Sequence, residues 1–75
     1  MGERGTPRLT ADQVVALLQA HGFLLAGDSG SHQKWRNPIT AKQVIVPYHR
    51  GRILPLGTMR SIIEGSGIDV AAWLR

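Results

Sequence analysis

The chain has 75 residues, a formal net charge of +4 and no cysteine, so it holds one domain at most, and disulfides and thiolate metal sites are excluded. No apolar run approaches the roughly 20 residues that span a membrane, and no hydrophobic signal-peptide core follows the polar start. We therefore expect a cytoplasmic protein with a flexible tail over residues 1–8 and a single domain over 9–75, small enough to gain stability from a partner chain.

Charge is strongly segregated along this chain. No Asp or Glu occurs from Ser29 to Ile63, although that segment holds most of the Lys and Arg residues. An uninterrupted positive segment points to an anionic partner, most often nucleic acid, with an acidic protein as the alternative and an ordinary solvated surface as the simpler interpretation. The basic residues of the segment are Lys34, Arg36, Lys42, Arg50, Arg52 and Arg60.

The first predicted elements are a helix and a strand. Thr10 and Gln13 have the spacing of a capping box, in which each side chain satisfies a free backbone N–H group at the start of a helix. Apolar side chains then recur at helical spacing, and Gly22 is suited to end the helix in the left-handed conformation. We therefore predict a helix over 11–21, followed by a short apolar strand over 23–26.

Two further strands are predicted, each following a short polar connection. Residues 28–31 have turn chemistry, and segment 32–37 alternates in the manner of a half-buried strand. A third strand is predicted over 43–46, ending before Pro47, where a missing N–H matters least. Alternation places Trp35 on one face of the second strand, where core packing is favoured over stacking on a base. The opposite face of that strand carries His32, Lys34 and Arg36.

The last third of the chain is predicted to be helical. A helix is predicted over 58–66 with Thr58 as its expected cap; the alternative is that this helix start binds a phosphate beside Arg60. A short final helix is predicted to begin at Asp69. The order α-β-β-β-α predicts an α+β fold, in which helices cover one face of a three-stranded antiparallel sheet and the other face stays open. Double-stranded RNA-binding domains have the same order.

Four short motifs give the sequence a family resemblance. They are Gly22-Phe23, Gly30-Ser31-His32, Val46-Pro47-Tyr48-His49, and the run from Gly57 to Ile63 that is followed by Gly67-Ile68. None is specific alone, but together, in order and at family spacing, they cover about residues 9–74. The chain therefore resembles the HicA (YcfA-like) family of bacterial toxins.

The resemblance implies a double-stranded-RNA-binding-domain-like fold, endoribonuclease activity on mRNA, and neutralisation by a HicB-type antitoxin. The family's catalytic residue is the histidine of its Gly-Ser-His motif, which here is His32, and Gly30 and Ser31 form the turn expected to position it. Asp28 departs from the family, which has a more basic strand end at this point. An acidic residue so near His32 in the sequence puts the charge of the site in question.

The residues fit metal-independent RNA cleavage by acid–base catalysis. One group removes the proton of the ribose 2′-hydroxyl, another protonates the leaving oxygen, and cations stabilise the charge on phosphorus. Histidine suits such proton transfer because its ordinary pKa lies near 6.5. His32 is the candidate, whereas His49 is left open between a second proton-transfer group, a phosphate contact and a turn residue. The expected RNA-binding cations are Lys34, Arg36, Arg50, Arg52 and Arg60.

Two competing functions stay open at this point. One is a non-catalytic RNA-binding domain of the same fold, which has no need of a histidine at a turn among cations. The other is a protein-interaction module whose basic face meets an acidic partner. Three scattered histidines lack the three or four convergent ligands of a zinc site, so no metal or other cofactor is expected, and His21 is expected to be a helix-end residue.

Overall fold

The computed structural model describes residues 6–74, and within them the predicted order α-β-β-β-α is confirmed. The predicted tail over 1–8 lies mostly outside the described residues, as does Arg75. No helix among the described residues is long and apolar enough to cross a membrane. The elements are α1 (Ala11–Ala20), β1 (Leu24–Ser29), β2 (His32–Arg36), β3 (Gln43–Pro47), α2 (Leu56–Ser66) and α3 (Val70–Trp73).

The first helix forms as its capping residues predict. The Thr10 hydroxyl accepts a hydrogen bond from the Gln13 backbone N–H at 3.2 Å, and the Gln13 side chain accepts one from the Thr10 N–H at 2.9 Å. Gly22 has φ of 90°, so it ends the helix with backbone geometry that residues with a Cβ rarely adopt. This reversal sends Phe23 into the core and the chain into β1.

The sheet is antiparallel, with strand order β1-β2-β3. Trp35 of β2 pairs with Val44 of β3, and both are buried. The core lies between this face of the sheet and the helices, because Val14 and Leu18 of α1 and Met59 and Ile62 of α2 are almost fully buried. The predicted alternation of the second strand, with Trp35 in the core, is therefore confirmed.

Two predicted boundaries are wrong by more than one residue, and the others differ by one residue at most. The first strand does not stop at residue 26 but continues to Ser29, because β2 supplies hydrogen-bonding partners up to the pair Ser29 and His32. The intervening turn is only Gly30-Ser31, with Gly30 at φ of 62°, as two-residue hairpin turns require.

The second helix also begins earlier than predicted, at Leu56 instead of Thr58. Its N-cap is Pro55, and no side chain makes a capping hydrogen bond there. Thr58 lies inside the first turn, so the expectation that it caps the helix is wrong. The other end agrees with the sequence, because Gly67 closes the helix in the left-handed conformation and the Asp69 side chain caps α3 by accepting from the Ala71 N–H at 3.0 Å.

Candidate functional site

The uncovered side of the sheet, which we call the open face, brings the second strand's polar side chains together. In antiparallel strands, directly opposed residues share a face, so the pairing register defines three rows across the open face. His32, Lys34 and Arg36 occupy the middle position of the successive rows, and all three are exposed. The rows are Ser29–His32–Pro47, Gly27–Lys34–Ile45 and Leu24–Arg36–Gln43.

His32 is the first residue of β2, directly after the Gly30-Ser31 turn. Its neighbours across the sheet are Ser29 and Pro47, neither of which is charged or bulky enough to cover an imidazole. The carbonyl of Ser31 accepts a hydrogen bond from the Tyr48 N–H, which ties this turn to the residue after β3. The imidazole is thus exposed on a backbone that is fixed on both sides.

Lys34 lies on the same face as His32, two residues further along β2. Its neighbour on β1 is Gly27, where an added Cβ would lie 3.6 Å from the Lys34 Cβ. The missing side chain at Gly27 leaves room for the lysine stem to lie along the sheet surface. Two cations, Lys34 and Arg36, therefore follow the histidine in a line on one strand.

A β-bulge keeps Asp28 off the open face. The register of β1 shifts between Leu25 and Gly27, so one extra residue is accommodated and the alternation of side chains reverses. Asp28 consequently pairs with Gln33, on the face opposite to His32. The expected acidic neighbour of His32 therefore lies on the other side of the sheet, and none of the nine open-face positions is acidic.

The second part of the positive segment is a turn that follows β3. His49, Arg50 and Arg52 are exposed here, and the Arg52 N–H donates to the His49 carbonyl at 3.1 Å. A cleft of about 280 Å³ adjoins the turn. Because Pro47 belongs both to this cleft and to the His32 row, the cleft borders the end of the open face that carries His32. It is lined by Pro47, His49, Arg52, Ile53, Leu54, Pro55 and Thr58.

The structure thus divides the predicted cations into separate groups. Lys34 and Arg36 are on the open face with His32, and Arg52 lines the neighbouring cleft with His49. Arg60 is exposed on α2, one helical position beyond the Met59 that packs into the core. Arg50 is in contact with the Tyr48 hydroxyl, so it belongs to a local cluster around Tyr48.

That cluster includes a residue which the sequence did not single out. The Tyr48 hydroxyl donates a hydrogen bond to Asp12 Oδ1 of α1, across 36 positions of the chain. This bond raises the pKa of Tyr48 above its ordinary value of 10.0, because loss of the phenol proton would break it and set two negative charges together, an effect that nearby Arg50 partly offsets. Nothing in the spacing of Asp12 and Tyr48 indicates their contact.

We expect this hydrogen bond to make stability depend on pH in the alkaline range. Because the pKa of Tyr48 is raised in the folded state, the hydrogen bond contributes fully to folding stability below about pH 10, the pKa of the unfolded chain. This contribution is lost as pH rises through the pKa of the folded state. Tyr48→Phe should therefore lower the melting temperature at pH 7–9, and its difference from the wild type should close above pH 10. Thermal melts of both proteins across this pH range check the prediction, and a difference in melting temperature that stays constant to pH 11.5 would contradict it.

His21 takes no part in either group of residues. Its ring Nδ1 lies 3.0 Å from the Leu17 carbonyl at the end of α1, as the helix-end expectation proposes. Within residues 6–74, no three His, Asp or Glu side chains are clustered so as to hold a metal ion.

Comparison with known protein families identifies one family. A family model described as the HicA toxin of bacterial toxin–antitoxin systems matches residues 11–68. The matched range includes the open face, the cleft and the whole of α2. No match was found among curated proteins.

Proposed function

Because the chain belongs to the HicA toxin family of bacterial toxin–antitoxin systems, we propose that it acts as the toxin in the cytoplasm by cutting mRNA, with His32 as the catalytic proton-transfer group. The observation that carries this proposal is the open face itself. An exposed imidazole stands at a tight turn, with two cations behind it on the same strand and no carboxylate among the nine positions of that face.

The proposed reaction is an internal transesterification followed by hydrolysis or release. His32 takes the proton from the ribose 2′-hydroxyl, the 2′-oxygen bonds to the adjacent phosphorus, and the bond from phosphorus to the 5′-oxygen breaks. A second group protonates that 5′-oxygen, and His49 at the bordering cleft is the candidate for it. Lys34 and Arg36 stabilise the extra negative charge that develops on the phosphate. This electrostatic stabilisation is strongest where the bound RNA excludes water.

Each remaining predicted residue has a supporting role. Gly30 and Ser31 hold His32 at the start of β2, and Arg52 and Arg60 extend the positive surface along the bound strand. Arg50 supports the turn through Tyr48 and contacts RNA only at its edge. The partner that neutralises the toxin is a HicB-type antitoxin, for which the cation-rich open face is the complementary surface.

The experiment that tests the function is product analysis of purified toxin on mRNA. Cleavage by the 2′-hydroxyl leaves a 2′,3′-cyclic phosphate or 3′-phosphate and a 5′-hydroxyl, and we expect it to persist in excess EDTA because the proposed roles need no metal. Products with a 5′-phosphate, or activity that EDTA abolishes and Mg²⁺ restores, would refute the mechanism. A non-catalytic RNA-binding domain, the competing function, would bind the RNA and leave it intact.

Binding of RNA to the open face should depend steeply on salt. If about four phosphates are neutralised, a single-stranded RNA should lose on the order of 50-fold in affinity between 50 and 200 mM salt. Arg36→Glu should weaken binding further and reduce the salt slope by about one phosphate. The same reversal should weaken antitoxin binding in parallel, since both partners are anionic.

Lys42→Glu is a suitable comparison for Arg36→Glu, because it makes the same change of charge in the loop between β2 and β3 and not on the open face. Affinities of both variants for RNA and for antitoxin, measured by titration calorimetry, check the prediction. If Arg36→Glu loses RNA binding and keeps full antitoxin affinity, the two partners use different surfaces and occlusion of the open face is wrong.

A further inference from the structure

The open face carries two exposed aliphatic side chains that RNA cleavage does not use. Leu24 in β1 is 62% exposed and Ile45 in β3 is 45% exposed. The register places Leu24 directly beside Arg36 and Ile45 directly beside Lys34. The two aliphatic groups therefore flank the cation pair from opposite sides, and the alkyl stems of Lys34 and Arg36 fill the strip between them.

We propose that Leu24 and Ile45, here called the aliphatic pair, anchor the antitoxin and not the RNA, an inference that rests on the toxin role proposed above. RNA offers phosphates, hydroxyls and the faces of its bases, and proteins hold those bases by aromatic or guanidinium stacking. Among the nine open-face positions, only His32 and Arg36 carry an aromatic ring or a guanidinium, because Trp35 is buried on the other side of β2, so the aliphatic pair itself gives RNA bases no stacking group. Apolar surface bordered by polar groups is instead what the buried centre of a protein–protein interface contains.

Charge identifies the kind of protein that fits. With Lys34 and Arg36 between the aliphatic residues and His32 in the next row, the complementary surface has apolar side chains bordered by carboxylates. A second copy of this chain does not meet that requirement. A two-fold self-contact through the open face sets the same patch against itself, which brings together two positively charged surfaces that hold no carboxylate. An acidic antitoxin is the occupant that the surface favours.

Antitoxin anchoring and RNA cleavage use different rows of the open face. The aliphatic pair lies in the second and third rows, whereas His32 lies in the first row, next to the cleft with His49. Antitoxin bound over the aliphatic pair would cover the cations and reach His32, so it blocks the same surface that RNA occupies. Substitutions at the aliphatic pair should therefore yield a toxin that still cuts RNA but escapes neutralisation.

The test compares Leu24→Thr, Ile45→Thr and the double variant with Leu74→Thr. Threonine has the β-branched shape that suits a strand and removes apolar surface at exposed positions, so the fold should survive. Leu74 is a matched control because it is a similarly exposed leucine, at 52%, next to α3. Two affinities are measured for each variant, one for the antitoxin encoded beside the toxin gene and one for an oligonucleotide whose 2′-deoxy nucleotide at the cleavage site prevents cutting.

We expect the double variant to bind antitoxin at least about 10-fold more weakly, while its affinity for the oligonucleotide stays within about twofold of the wild type and Leu74→Thr changes neither. Unchanged antitoxin affinity, or an equal loss for both ligands, would overturn the inference. So would a wild-type dimer in solution that the double variant dissociates, because the pair would then be a self-association surface. A wild type that binds antitoxin through this pair but cuts no RNA would refute the nuclease function and leave the inference standing.

Discussion

His32→Ala is expected to lower the rate of RNA cleavage by roughly 10²–10⁴-fold, the usual loss when a single acid–base group is removed. The side chain is exposed at the start of β2, so its truncation removes no core contact. The melting temperature should stay within a few degrees of the wild type. Expression of the variant should no longer arrest growth, even without antitoxin.

Two other histidines make this experiment discriminating. His21→Ala removes another exposed imidazole, at the end of α1 and away from the open face, and should leave the cleavage rate unchanged. His49→Ala tests whether the second proton-transfer group is at the cleft: a loss of rate with unchanged RNA affinity assigns it to catalysis, and a loss of affinity alone assigns it to phosphate binding. Cleavage at the normal rate by purified His32→Ala would remove His32 from the mechanism.

Trp35→Ala should cost about 3–5 kcal/mol of folding free energy, as large-to-small substitutions of buried aromatics do. Trp35 is only 5% exposed, packs behind the open face, and donates from its indole N–H to Gln33 Oε1 at 3.1 Å. A domain of this size has a total stability of roughly 4–11 kcal/mol. The substitution should therefore remove a large share of the folding free energy.

Urea denaturation measures this loss, and Trp35→Phe is the control, since it keeps a buried aromatic ring and gives up only the second ring of the indole and the hydrogen bond to Gln33. We expect it to be much closer to the wild type in stability and to bind RNA normally. If Trp35→Ala is as stable as the wild type and binds RNA more weakly, the indole acts by stacking on a base, and its placement in the core is wrong.

The alternation of β2 shows that local sequence can predict which face of the sheet each side chain occupies. Side chains on successive residues of a strand point to opposite faces, so the pattern of polar and apolar residues alone placed His32, Lys34 and Arg36 together and Trp35 in the core. The capping box of Thr10 and the glycines that end α1 and α2 could likewise be predicted from the sequence, because each signal involves residues within four positions of one another.

The start of a helix that has no local capping signal could not be predicted in the same way. The second helix begins at Leu56 after a proline N-cap with no side-chain hydrogen bond, and the sequence offered Thr58 as the more usual residue. Here the chain is held from outside the helix: the Leu54 N–H bonds the Leu9 carbonyl at 2.8 Å, and Leu54 is buried in the core. Those contacts fix the start of the helix more firmly than capping propensity does.

By itself the sequence determined the order of the elements, the family resemblance and the candidate histidine, since these depend on periodicity, turn residues and short motifs. Only the tertiary structure decided which residues surround that histidine. The bulge in β1 turns Asp28 away from the open face and leaves Leu24 on it, and the contact between Tyr48 and Asp12 joins residues 36 positions apart. Register and long-range contacts arise when strands and helices pack against one another, and no local pattern encodes them.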